Sequence, residues 1–334
     1  MSEADPAALA ERIAAAEKAA VAQALNLIED RRQRSQGRIE ALLGRLRERA
    51  GMQRVGLTGP PGGGKSTLTA ALARELRERG DTVGVLAVDP SSTRSGGALL
   101  GDRARMSFDP ADQGLFVRSL ATAGDTGGLA YAAHAVTEVL SAAYDRVVIE
   151  TTGVGQTETD VEHVADTICL VIQPGSGDVL QFIKAGIMEI PDVLVVNKGD
   201  HGALAQRAAS DLAGALDALR GVGMAEAGDD WRVPVLVTSA RDRTGIDALV
   251  DTLDAHRAAQ GAAGQRERRR EGETHWTLSL LLRRHGEHGL EVLGGRTEVA
   301  GRIRAALDAG AIPIAVSADL GRDYLRRVAS AGID

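Results

Sequence analysis

Gly59-Pro60-Pro61-Gly62-Gly63-Gly64-Lys65-Ser66-Thr67 is the stretch of this sequence that says most about its fold. It fits the pattern G-x-x-x-x-G-K-[ST], follows a predicted strand at residues 54–58 and precedes a helical run at residues 67–79. Glycines allow backbone amides to turn inward around phosphate groups, and the start of a helix attracts negative charge. A flexible glycine-rich turn would not explain Lys-Ser-Thr at a helix start. The stretch therefore predicts a phosphate-binding loop.

Each side chain at the end of this loop has an expected task. Lys65 neutralises the β- and γ-phosphates of a nucleotide, and Ser66 has the short hydroxyl that suits a Mg²⁺ ligand. Thr67 is the weaker candidate for that ligand. The residues expected to contact the nucleotide here are Gly62, Gly63, Gly64, Lys65, Ser66 and Thr67.

Apolar, β-branched runs recur after the loop, with helix-length stretches between them. They lie at residues 82–88, 146–150, 167–173, 193–197 and 233–238. This alternation predicts an α/β fold in which a mainly parallel sheet is wrapped by helices, the P-loop NTPase architecture.

Helical patterns flank this predicted nucleotide domain on both sides. We expect an amphipathic N-terminal helical arm at residues 1–50, a P-loop domain at 51–260 and a C-terminal helical extension at 261–334. The extension begins with a Gly/Ala-rich and then strongly charged segment, typical of a hinge or an exposed helix start, and its helices are expected at residues 275–284 and 298–309. It is the expected dimerisation element.

Composition excludes several classes of function. The 334 residues carry a formal net charge of -7, which provides no general attraction to nucleic acid or to an anionic membrane. The N-terminus lacks a signal-peptide pattern, and no segment reaches the ~18 apolar residues of a membrane span. We therefore expect a cytoplasmic protein with no nucleic-acid or membrane partner. The single cysteine, Cys169, is interpreted as a buried structural thiol.

Two aspartates follow the second predicted strand and are candidate Mg²⁺ contacts. Asp89 stands at the carboxyl end of that strand, where parallel sheets bind ligands, although it could instead cap a turn. Asp102 follows a glycine-rich loop that we interpret as a first switch, and it could also be an ordinary exposed carboxylate.

A third acidic position follows the predicted strand at residues 146–149. Glu150 occupies the place of the aspartate in the Asp-x-x-Gly pattern of many GTPases, so it is expected to hold a metal-bound water, while the Gly153 amide contacts the γ-phosphate. Val154 stands where Ras-like proteins have a water-orienting glutamine, which predicts slow intrinsic hydrolysis. Gln156 is the nearest substitute, and it could equally be a plain polar loop residue. Lys65, Glu150 and Gln156 are the candidate catalytic residues.

The choice of base is indicated by Asn197-Lys198-Gly199-Asp200 at the end of another predicted strand. Asp200 can accept two hydrogen bonds from guanine N1 and N2, a donor pair that adenine lacks, so the motif selects GTP over ATP. Asn197 is expected to brace the loops and Lys198 to cover the base plane. Ser239 and Ala240 are expected in the loop that contacts guanine O6.

With these residues together, the chain resembles the methylmalonyl-CoA mutase-associated GTPases, the MeaB/ArgK type in the G3E group of P-loop GTPases. The resemblance covers roughly residues 1 to 260. The motifs that carry it are GPPGGGKST, AVDPSSTRSGGALLGDRARM, ETTGVGQTE, GSGDVLQFIKAGIMEIPD and NKGD.

This resemblance implies a GTP-dependent chaperone that loads, protects or reactivates an adenosylcobalamin-dependent acyl-CoA mutase, and a homodimer. It also implies that Ser66, Asp89, Asp102 and Glu150 form the metal site. The segment from Gly177 to Asp192 matches a further switch that reports nucleotide state to the mutase, with Asp178, Gln181 and Lys184 as its expected contacts. Gln181 and Lys184 could also be the polar face of an ordinary helix.

Three other functions stay open at the level of sequence. A nickel- or zinc-insertion GTPase would need soft or imidazole ligands, for which only His285 and His288 are suggestive. A scaffold that uses GTP merely to become rigid is compatible with the missing switch glutamine. A kinase or ATPase for amino-acid transport predicts a preference for ATP, which Asp200 opposes.

Overall fold

The computed structural model describes most of the chain, including the strand before the phosphate loop and the helix after it. The described residues are 5–30, 32–89, 108–109, 111–121, 132–151, 161–175, 190–221 and 231–331.

A seven-stranded, all-parallel sheet forms the centre of the molecule. The strands are β1 (Gln53–Thr58), β2 (Val83–Asp89), β3 (Leu115–Ala121), β4 (Arg146–Glu150), β5 (Thr167–Ile172), β6 (Val193–Val196) and β7 (Val235–Val237), in the spatial order β3-β2-β4-β1-β5-β6-β7. The predicted α/β architecture is confirmed. Because β1 lies between β4 and β5, the carboxyl ends of these three strands lie together at one edge of the sheet, where open parallel sheets bind ligands.

Strand β3 was not predicted from the sequence. It pairs in parallel with β2 at the edge of the sheet, and its central residues are only partly buried. Arg118 and Ser119 interrupt its apolar pattern, because an edge strand exposes side chains that a central strand would bury.

The helices cover both faces of this sheet. They are α1 (Pro6–Ala14), α2 (Lys18–Ile28), α3 (Gln33–Leu43), α4 (Lys65–Glu78), α5 (Ala133–Ala143), α6 (Ala203–Gly221), α7 (Ile246–Val292), α8 (Arg296–Asp308) and α9 (Pro313–Ala331). Short 3₁₀ helices lie at Val161–His163 and Gly199–His201. The predicted C-terminal helices at residues 275–284 and 298–309 correspond to parts of α7 and α8, and α9 was missed.

The N-terminal helices pack on the sheet layer. Asp5 caps α1 by accepting a hydrogen bond from the Ala7 amide at 3.2 Å, and Ala16, with φ of 56°, separates α1 from α2. Leu9 and Leu25 are buried in the same apolar cluster as residues of β2, β4 and α5. The predicted arm is therefore a layer over one face of the nucleotide fold.

Helix α7 spans the predicted boundary at residue 260. Its backbone leaves the helical region at Gly261 and Gly286, where φ is 62° and 67°. The first part packs against α4 and the sheet, and the last part joins α8 and α9 in a separate apolar cluster. The domain division and the dimerisation role stay predictions. No described helix is long and apolar enough to cross a membrane.

Candidate functional site: a phosphate loop beside a base-recognition loop

The phosphate loop has a backbone that only glycine accommodates. Gly59, at the end of β1, has φ of 132°, and a Cβ added there would lie 2.2 Å from the Val171 carbonyl oxygen. Gly64, at the start of α4, has φ of 83°, and its Cβ would lie 2.6 Å from the Asn197 amide nitrogen. These two glycines allow the phosphate loop to pack tightly over β5 and against the loop after β6 that carries Asn197.

Lys65 lies inside this loop. Its side chain is buried, and Nζ donates hydrogen bonds to the carbonyl oxygens of Gly59 at 2.7 Å and Pro60 at 3.0 Å. The loop thereby holds a positive charge beside the amino end of α4, which favours a phosphate at the same place.

Ser66 and Glu150 come together at the end of β4. The register pairs Leu57 with Glu150, which sets the carboxylate next to the start of the loop. Ser66 Oγ donates to Glu150 Oε1 at 2.5 Å, and Glu150 is only 5% exposed. A hydroxyl and a carboxylate beside a phosphate loop form the hard oxygen donor set that fits Mg²⁺. Thr67 is exposed and makes no such contact in the described chain.

Asn197 connects the phosphate loop to the base-recognition loops. Its Nδ2 donates to the carbonyl oxygens of Gly63 at 3.1 Å and Gly64 at 3.3 Å, while its Oδ1 accepts from the Ala240 amide at 3.1 Å. The side chain is 1% exposed. A single amide thus fixes the distance between the segment that would bind phosphate and the segment that would bind the base.

Asp200 and Ser239 lie within hydrogen-bond distance. Ser239 Oγ donates to Asp200 Oδ1 at 3.1 Å, and the Gly199 amide donates to the Thr238 carbonyl oxygen at 2.8 Å. The loops after β6 and β7 are therefore joined by backbone and side-chain hydrogen bonds. This geometry presents a carboxylate that can accept hydrogen bonds from a base.

Two residues at the site were missed by sequence reasoning. Gln173 follows β5, and its Oε1 accepts a hydrogen bond from Lys198 Nζ at 2.7 Å. Thr69 Oγ1 donates to Glu150 Oε2 at 2.9 Å. Two features of the sequence could have indicated these residues: Gln173 is polar and directly follows a buried strand, and Thr69 lies one helical turn beyond Ser66.

Several predicted site residues lie outside the described part of the chain. They are Asp102, Gly153, Gln156, Asp178, Gln181 and Lys184. Asp89 is the last residue of β2, where its backbone pairs with Ala121 of β3, and its side chain also lies outside the described part of the chain. The roles of all predicted site residues stay predictions.

Cysteine and histidine offer little for metal insertion in the described chain. Cys169 is buried, and burial together with nearby Asp192 raises the pKa of its thiol, as expected for a structural thiol. His285 packs on the Tyr324 ring at 4.4 Å, and His288 lies 3.7 Å from Glu291. Among the described residues, no group of three or more potential metal ligands is found.

The parallel sheet, the phosphate loop and the loop bearing Asp200 together define a P-loop GTPase. The chain belongs to the family of methylmalonyl-CoA mutase-associated GTPases, MeaB, whose model matches residues 21–287. It is therefore a GTPase that binds guanine nucleotide. The match continues beyond residue 260, farther than the motifs alone indicate.

Individual relatives agree with this family. A putative GTPase of Caulobacter vibrioides is 37% identical over 93% of this chain and 95% of its own length. A mitochondrial methylmalonic aciduria type A homolog of Caenorhabditis elegans is 38% identical over 77% of this chain and 67% of its own. The crystal structure of a LAO/AO transport system kinase is 28% identical, with a TM-score of 0.69 over 99% of this chain and 98% of that one.

Proposed function

We propose that this chain is a GTP-hydrolysing chaperone that gates cofactor loading, protection and reactivation of an adenosylcobalamin-dependent acyl-CoA mutase such as methylmalonyl-CoA mutase. The observation that carries the proposal is the family match, which spans the phosphate loop, the base loops and most of α7. The name of the Caenorhabditis elegans relative supports the same client. We further propose a homodimer that uses the C-terminal extension.

Each residue of the nucleotide site has a proposed role that its contacts support. Lys65 exchanges its carbonyl contacts for the β- and γ-phosphates, and the Gly153 amide binds the γ-phosphate. Asp200 accepts hydrogen bonds from the guanine edge, Lys198 covers the base, and Asn197 holds the two loops in register. The remaining nucleotide contacts are Gly62, Gly63, Gly64, Ser66, Thr67, Ser239 and Ala240.

We assign a Mg²⁺ site to Ser66 and Glu150, with Asp89 and Asp102 completing it. When bound, Mg²⁺ neutralises charge that develops on the phosphate oxygens. Glu150 would hold a water bound to that ion, and Gln156 would orient the attacking water. Because glutamine is absent from the usual switch position, intrinsic hydrolysis is slow and depends on the partner.

Nucleotide state is transmitted through the segment that contains Asp178, Gln181 and Lys184, which contacts the mutase.

Partner-stimulated hydrolysis is tested by single-turnover GTP hydrolysis by the full chain, with and without purified methylmalonyl-CoA mutase. We expect an acceleration of at least about tenfold, equivalent to ~1.4 kcal/mol of activation free energy. Lys65→Ala, which removes the phosphate-binding charge, shows that the measured rate comes from this site. A rate that is the same with and without mutase would contradict partner-stimulated hydrolysis.

A further inference from the structure

The carboxylate of Glu150 is held by two hydroxyl groups from the same helix. Ser66 Oγ donates to Oε1 at 2.5 Å, and Thr69 Oγ1 donates to Oε2 at 2.9 Å. The two donors lie three residues apart, so they share one face of α4. Each carboxylate oxygen therefore has its own hydroxyl partner.

The two hydroxyls differ in their surroundings. Thr69 is fully buried, whereas Ser66 is partly exposed at the first turn of the helix, next to the phosphate loop. Oε2 of Glu150 is consequently fixed toward the interior, and Oε1 faces Ser66, the residue assigned to the Mg²⁺ site. A buried hydrogen bond to a charged group is among the stronger side-chain interactions.

The behaviour of Thr69 differs from that of four other helical threonines in the described chain. Each of those four donates to the carbonyl oxygen four residues earlier, a common arrangement for threonine in a helix. The examples are Thr137 to Ala133, Thr252 to Ala248, Thr274 to Arg270 and Thr277 to Glu273. Thr69 instead reaches across to β4, which ties the helix after the phosphate loop to the carboxylate at the strand end.

We infer that Thr69 is a positioning residue for Glu150 and thereby for the Mg²⁺-dependent part of nucleotide binding and hydrolysis. The inference rests on the metal site assigned above. Ser66 must turn its oxygen toward a metal, while Thr69 can keep its hydrogen bond throughout. Thr69 therefore supplies the contact that holds the carboxylate in one orientation.

The decisive variants are Thr69→Val, which removes the hydroxyl at nearly constant shape, and Thr69→Ser, which keeps it. Thr137→Val is the matched control, since Thr137 is an equally buried helical threonine outside the nucleotide site. For each protein, the release rate of a fluorescent GDP analogue is measured across a Mg²⁺ titration. GDP affinity in EDTA and the thermal unfolding midpoint are measured alongside.

We expect Thr69→Val to need about tenfold more Mg²⁺ for half-maximal slowing of GDP release, with unchanged GDP affinity in EDTA. Thr69→Ser and Thr137→Val should stay within about twofold of the wild type. A Thr69→Val protein with wild-type Mg²⁺ dependence would overturn the inference, as would a Thr69→Ser protein as impaired as Thr69→Val. If Thr69→Val does not fold, Thr69→Ala is compared with Thr69→Ser in the same way. Absence of any Mg²⁺ effect in the wild type would instead refute the metal site itself.

Discussion

At the scale of single residues, the base-recognition loop illustrates how a short motif becomes a site. Asp200 accepts a hydrogen bond from Ser239, and Asn197 links the same region to Gly63. The carboxylate is exposed in a loop held by hydrogen bonds, so a bound base that covers it without matching donors would leave it unpaired at a cost.

Asp200→Asn should abolish the preference for guanine. Replacing a carboxylate oxygen by an amide removes an acceptor for the donors at guanine N1 and N2, so GTP affinity should fall by about 100-fold. Nucleotide titration with GTP and ATP measures the ratio of their affinities. Asp211→Asn, an exposed carboxylate on α6, is the matched control. Retention of the wild-type GTP-to-ATP ratio by Asp200→Asn would rule out this role.

Residue types and spacing were sufficient to predict where Lys65, Glu150 and Asp200 lie relative to the strands, but not which other residues contact them. Lys65, Glu150 and Asp200 stand at fixed offsets from predicted strands, so their positions follow from the chain itself. Thr69 and Gln173 act through contacts between different elements, on Glu150 and Lys198 respectively. No local pattern specifies such pairs, because they depend on how α4 and β5 are arranged around the loop.

Glu273 gives stability a distinctive pH dependence. Burial raises the pKa of its carboxyl to about 7, with neighbouring Glu138 adding to the shift, although Arg270 lies at 2.6 Å. Because folding raises this pKa, the protonated carboxyl favours the folded protein. This contribution to stability is fully present below the unfolded pKa of 4.5 and is lost as pH rises through about 7.

Glu273→Gln should remove this dependence. Relative to wild type, the variant should gain about 2 kcal/mol in unfolding free energy between pH 5 and pH 8. Urea unfolding at both pH values gives the difference directly. A constant difference between variant and wild type across this range would show that Glu273 titrates normally.

At the scale of elements, a close contact joins α7 to the 3₁₀ helix at Val161–His163. A Cβ on Gly272 would lie 2.0 Å from the His163 carbonyl oxygen, and the rings of His163 and His275 stack at 3.5 Å. Helix α7 therefore touches residues 161–163, which directly follow the segment after β4 that contains Gly153 and Gln156.

Gly272→Ala should destabilise the protein although alanine favours helices. The added methyl group must displace backbone, which typically costs about 1–3 kcal/mol. Gly264→Ala on the same helix is the control, because its Cβ would meet only Gln260 Cβ at 3.6 Å and should stabilise by ~0.5 kcal/mol. Denaturant unfolding tests both variants. Equal effects of the two substitutions would mean that the contact with His163 relaxes without cost.

The six predicted strands are those with continuous apolar runs, whereas strand β3 and helix α9 were not predicted. The central strands are continuous apolar runs, and six of the seven strands were recognisable for that reason. Strand β3 carries Arg118 at the sheet edge, where it pairs with Glu29 of the N-terminal region. Helix α9 packs through Val316, Leu320 and Tyr324, which recur at helical spacing, so its pattern was present in the sequence but was not recognised.

At the scale of the whole molecule, a buried ion network joins regions that are distant in sequence. Arg54, on the strand before the phosphate loop, is 1% exposed and contacts Glu48 at 2.5 Å and Glu138 at 2.9 Å. Arg269 of α7 contacts Glu48 and Asp166, each at 2.5 Å. The N-terminal region, the sheet and α7 are thus held together at the base of the nucleotide fold.

Arg54→Met should therefore be destabilising. It removes the hydrogen bonds that this buried cation donates to the partly exposed Glu48 and Glu138, of which Glu48 keeps Arg269, and such charged hydrogen bonds are typically worth about 1.5–3 kcal/mol. Arg74→Met removes the exposed pair with Glu78 and should cost less than ~1 kcal/mol. Unfolding of both variants in guanidinium chloride measures the loss of unfolding free energy for each. A small loss for Arg54→Met would show that the network adds little to stability.

Gating of acyl-CoA mutase binding by nucleotide state is tested most directly by an affinity measurement. Equilibrium binding of the full chain to methylmalonyl-CoA mutase is measured with GDP, with a non-hydrolysable GTP analogue and without nucleotide. If nucleotide state gates binding, the dissociation constants with GDP and the GTP analogue differ by at least about tenfold, which is ~1.4 kcal/mol of coupling free energy. Equal dissociation constants in all three conditions, or no binding in any of them, would contradict gating.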